Sequence, residues 1–163
     1  ARSGDAQDAR EAMGELASLR EQAAASSAYW ANQVEIQLMT ARAWLEHAEG
    51  RQEQALERMR RAAEKESETE KHPITPGEVL PARELLADML LDMGRHQEAH
   101  EQYLKALERS PNRFNSLYGA GRAAELAGDD TRAAEYYRKL VDTASADAQR
   151  KRLEHAGSVT SDQ

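Results

Sequence analysis

Gly94 and Gly128 stand 34 residues apart, and the segments after the two glycines share one pattern of small and aromatic residues. After Gly94 come Ala99, Tyr103 and Ala106. After Gly128 come Ala133, Tyr137 and Leu140, each shifted by the same 34 residues. A fixed period of this length constrains a chain more than its composition does. It implies one supersecondary unit used again and again, each unit burying its apolar face only against the next. Two weaker echoes lie upstream: Gly50 is followed in register by Ala55, Met59 and Ala62, and Gly4 by Ala9, Met13 and Leu16.

The units read as helices. Ala, Glu, Arg, Gln and Leu dominate, Phe114 is the only phenylalanine, and β-branched residues are scarce. Such a composition favours an all-α protein. Periodicity and punctuation place helices at about 5–24, 27–48, 51–68, 80–93, 95–109, 113–127, 129–144 and 146–156, eight in all. Ser26 or Ser27 is an N-cap for the second. Gly50, Gly94 and Gly128 each fall where a left-handed residue closes the last turn of one helix, so the chain folds straight back into the next. Pro111 ends one helix and opens the following unit. The longest break is ESETEKHPITPGEV, with Pro73, Pro76 and Gly77. Thr75 and Glu78 flank Pro76 and Gly77 as a capping box, while Pro81 moves the expected helix start to near Leu80.

Several function classes are excluded or disfavoured. With no cysteine in 163 residues, the chain has no disulfide, thiolate metal site or cysteine nucleophile. No apolar run approaches the ~20 residues of a membrane span. A net charge of −7 argues against a general nucleic-acid binder. The chain shows no paired nucleophile and base and no phosphate-binding glycine loop. GAGRAAELAGD carries a short glycine pattern, but it sits in a helix and its turn with no strand before it, so the dinucleotide reading fails. No cofactor is expected. His96 and His100 are four apart on a helix, but two ligands alone make a poor metal site, and both are expected at the surface or near a turn. Trp44 is expected in the core. Trp30, beside Tyr29, is freer to be a contact residue.

The residues as a set resemble the tetratricopeptide repeat family. Its unit carries, at set intervals, a small residue, a glycine, an alanine, an aromatic, a second alanine and a proline. Ala87, Gly94, Ala99, Tyr103, Ala106 and Pro111 agree at all six places. Gly121, Gly128, Ala133 and Tyr137 agree in the next unit, where Leu140 and Ser145 depart. Upstream, Ala41 and Trp44 fit, but Gly50 comes two residues late, which implies a small insertion near His47 to Glu49. The resemblance covers nearly the whole chain. It implies an all-α, right-handed superhelical solenoid of antiparallel helix hairpins. It divides the chain into a half-repeat (1–25), an elongated repeat (26–70), a Pro/Gly linker (71–79), two repeats (80–113 and 114–145), a capping helix (146–156) and a tail (157–163). On this reading the chain begins halfway through a repeat of a longer protein, similar to bacterial tetratricopeptide-repeat proteins of undefined activity.

The resemblance further implies a non-catalytic scaffold that binds a protein or peptide partner. In the family, the first helices of successive repeats line a concave groove. The corresponding places here hold Pro81, Glu84, Asp88, Leu91 and Asp92, then Asn115, Tyr118, Arg122, Glu125 and Leu126. Glu84, Asp88, Asp92, Asn115, Tyr118, Arg122 and Glu125 are the expected peptide-binding residues. Four carboxylates against one guanidinium suit an extended segment carrying Lys or Arg. The family's carboxylate-gripping mode is not expected, because Glu84 and Asp88 stand where it needs Lys and Asn. The alternatives are a structural spacer or self-association module working through exposed repeat ends, and a helical accessory domain of a larger enzyme. The compartment is left open between cytoplasm and periplasm.

Overall fold

The structure is a computed structural model that describes residues 6–69 and 80–144. Among these residues are seven α-helices and no strand: α1 (Ala6–Ala24), α2 (Ala28–Ala48), α3 (Gln52–Glu68), α4 (Ala82–Asp92), α5 (His96–Arg109), α6 (Phe114–Leu126) and α7 (Asp130–Thr143). Every expected boundary between 5 and 144 falls within two residues of the observed one. The eighth helix, the tail and the linker at 71–79 lie outside the described residues.

The chain forms two compact units, Ala1–Leu86 and Ala87–Gln163, so the boundary falls within α4. In the first unit α2 packs on both α1 and α3. Ala55, Leu56, Met59, Ala62, Ala63 and Glu66 are buried along one stripe of α3, the spacing of a helix with a single apolar face. Ile36, Leu38, Ala43, Trp44 and Leu45 are buried on α2, their spacing placing them on two sides of a helix that packs on both α1 and α3. A bidentate pair ties the two helices, Arg58 donating to Glu46 at 2.9 and 2.8 Å. That guanidinium holds the Glu46 carboxyl below its usual range. Trp44 meets the expectation of a core residue at 6% exposure, whereas Trp30 stays 47% exposed, with its ring edge-on to Tyr29.

The start of α4 has a cap that its own neighbourhood did not announce. Pro81 precedes the helix and its carbonyl accepts from the Leu85 N–H at 3.1 Å. The Ala82 N–H donates to both carboxylate oxygens of Glu66 at 2.9 Å. Glu66 is only 4% exposed. A carboxylate set against the positive end of a helix satisfies both the free donor and the macrodipole. The Thr75–Glu78 capping box falls outside the described residues.

The three glycine turns are one structure used three times. Gly50, Gly94 and Gly128 have φ of 81°, 73° and 80°. In each, the glycine N–H reaches back three residues and the next N–H reaches back five, as in Gly94 to Leu91 (2.9 Å) and Arg95 to Leu90 (2.8 Å). This is the Schellman closure, which satisfies two carbonyls left over at the helix end. The residue after each glycine, Arg51, Arg95 or Asp129, then caps the next helix in nearly the same conformation.

In the second unit α6 is central, packed on both α5 and α7. Leu117, Ala124, Ala133, Tyr137 and Leu140 form its core, with Leu107, Phe114, Tyr118 and Tyr136 against the edge.

Candidate functional site

Helix α6 is built to receive two tyrosines. Gly119 and Gly121 face neighbouring rings so closely that a Cβ on Gly119 would stand 2.3 Å from Tyr103 Cζ, and one on Gly121 2.6 Å from Tyr137 Cε1. Without side chains at these places, the ring from α5 and the ring from α7 each reach the α6 backbone. Tyr103 is 1% exposed and Tyr137 fully buried, as their register in the repeat implied. The role of Gly119 went unread in the sequence. The available signal was a second glycine inside a helix, which lowers helix stability and therefore asks for a packing reason.

A buried phenol needs a partner for its hydroxyl. Tyr103 donates to Asp88 Oδ1 at 2.5 Å, and Tyr137 donates to Glu125 Oε2 at 2.7 Å. Two of the expected groove carboxylates therefore hold the tyrosines that knit the helices. Burial first, and the bond to Glu125 second, push the Tyr137 hydroxyl far above its ordinary range, so it remains a donor. Glu125 also pairs with Arg122 at 2.9 Å, and this hydrogen bond raises the guanidinium's already high pKa. Tyr118 lies 6.0 Å from Tyr137, ring to ring, at a tilt of 42°. Tyr118, Arg122 and Glu125 thus share one stripe of α6 around the Tyr137 ring. Asp92 and Asn115 are exposed, and Asp88 is half-buried.

Glu84 departs from the expectation of a groove-facing charge. It is 3% exposed, as buried as its neighbours Ala82, Leu85, Leu86 and Ala87 on α4. His100 departs too. Instead of lying at the surface it is 8% exposed, with Nδ1 3.0 Å from the Ala120 carbonyl oxygen and its ring edge-on to Tyr136. Among the described residues, no group of three His, Cys, Asp or Glu could hold a metal ion.

The family model for the tetratricopeptide repeat matches residues 84–148. The fold is similar to that of PcrH from Pseudomonas aeruginosa, with a TM-score of 0.59 at 13% sequence identity, covering 78% of this chain and 90% of that one. The likeness is one of fold. No curated protein matches the sequence. The all-α architecture of helix hairpins is therefore shown, and the matched stretch contains the pattern from Ala87 to Pro111. No helix among the described residues is long and apolar enough to cross a membrane.

Proposed function

We propose that the tetratricopeptide segment is a non-catalytic scaffold that takes an extended, Lys- or Arg-bearing partner segment along Asp88, Asp92, Asn115, Tyr118, Arg122 and Glu125. The observation that carries this reading is the α6 stripe. Tyr118 offers a half-buried aromatic platform, and Arg122 is held by Glu125, so neither side chain must be ordered when a ligand arrives. The internal bonds do not use up Asp88 and Glu125 as acceptors. A carboxylate that accepts one hydroxyl has further acceptor positions. Glu84 is buried and lies outside this face.

The test is binding of fluorescent peptides rich in Lys or Arg to the native chain and to an Asp88→Asn, Asp92→Asn double variant. Asparagine at 88 still accepts the Tyr103 hydroxyl, so the fold is spared. The expected result is a loss of affinity of about tenfold, since each removed charge is worth up to ~1 kcal/mol at a partly solvated site. Unchanged affinity would remove this face from the site.

Self-association is the second reading, favoured by Leu19 and Trp30, which are 51% and 47% exposed on α1 and α2. A mass that rises with concentration in light scattering would support it.

A further inference from the structure

A pocket of about 290 Å³ opens in the second unit, away from the α6 stripe. Gln97, His100 and Glu101 of α5 line one side, and Asp129 and Arg132, at the start of α7, line another. The remaining wall is apolar, made by the methyl groups of Ala124 and Ala127. Its volume sits at the low end for small-molecule sites, a size for one side chain rather than a cofactor.

The tautomer of His100 is set by its partner. A carbonyl oxygen can only accept, so Nδ1, 3.0 Å from Ala120 O, carries the proton. In the neutral ring Nε2 is then an acceptor, and no described group donates to it although the side chain is more than nine-tenths buried. Gln97 and Glu101 likewise have no hydrogen-bond or ion-pair partner among the described residues. Asp129 is partly engaged: it accepts from the Arg132 N–H at 3.0 Å and pairs with its guanidinium at 3.5 Å. The lining therefore offers an imidazole lone pair and two carboxylates against a single guanidinium. It is rich in acceptors and carries one excess negative charge.

We propose that this pocket is an anchor site for a lysine or arginine side chain of a partner polypeptide. A cationic head that only donates matches the acceptors Nε2, Glu101 and Asp129. The aliphatic stem lies against Ala124 and Ala127, as such stems do when the head stays polar. The site is independent of the face along Asp88 to Glu125, because its polar groups come from α5 and the start of α7.

The test titrates the protein, labelled with ¹⁵N-histidine, with N-acetyl-arginine amide, N-acetyl-lysine amide and N-acetyl-norleucine amide. The cationic probes should shift the His100 Nε2 resonance saturably, and norleucine should not. Glu101→Gln, at an exposed position, should keep the fold and weaken the cationic probes about fivefold. Asp92→Asn, on the other face, should leave the His100 shift unchanged even where it weakens cation binding on that face. A shift that never saturates, that norleucine reproduces, that survives Glu101→Gln in full, or that Asp92→Asn abolishes would overturn the proposal.

Discussion

Tyr103 and Tyr137 each combine three demands at one position: a buried ring, a glycine to rest on, and a carboxylate for the hydroxyl. A methyl group at 119 would meet the Tyr103 ring rather than the end of a flexible chain, so it cannot be accommodated cheaply. Alanine is the better helix former by about 1 kcal/mol. Overpacking typically costs about 1–3 kcal/mol, so the clash should win. Gly119→Ala and Gly121→Ala are expected to lower stability in urea denaturation despite their higher helix propensity. A gain in either variant would mean that the ring moves aside freely. The tyrosines themselves were legible from their place in the repeat. Their carboxylate partners were not, because Asp88 lies on a different helix from Tyr103, and Glu125 on a different helix from Tyr137. The repeat pattern gives a residue's face, but not which distant side chain ends within hydrogen-bond distance.

Elements are joined by devices that act over different sequence ranges. The glycine turns are local. Gly50, Gly94 and Gly128 share one conformation, and none has an atom near a would-be Cβ. Alanine there meets only backbone strain, which is about 1–2 kcal/mol for a left-handed residue with a Cβ. Gly94→Ala and Gly128→Ala should therefore cost nearly equal amounts in thermal or urea unfolding. Very unequal costs would show that the turns are not equivalent. The clasp of α2 on α3 is not local. Glu46 is held below its unfolded value by Arg58, so its contribution is complete above the unfolded pKa and lost as pH falls through the folded one. Glu46→Gln should lower stability near neutral pH by about 1 kcal/mol and flatten the acid limb of the stability profile below pH ~4.5. An unchanged acid limb would move the titrating group elsewhere. The cap of α4 by Glu66 belongs to the same class. It joins positions separated by a proline-bearing segment, where sequence reading finds only local capping patterns.

Over the whole molecule, a net charge of −7 frames the partner question. An acidic scaffold attracts basic segments from a distance, and salt shortens that reach, to about 8 Å at physiological ionic strength. Binding of the Lys- or Arg-rich peptides should weaken as salt rises from about 50 to 500 mM, mainly through slower association. Salt-independent affinity would point instead to an apolar contact such as Trp30. The sequence by itself determined what depends on neighbours along the chain: the helices, the glycine closures, the period and the buried tyrosines. Each of these arises from backbone geometry that a few consecutive residues impose. Only the tertiary structure decided that Glu84 is buried, that Asp88 and Glu125 serve tyrosines, and that His100 turns inward to leave an acceptor in a pocket. Those outcomes depend on which helices surround a side chain. A charged residue on a helix has the same local pattern whether water or another helix covers it.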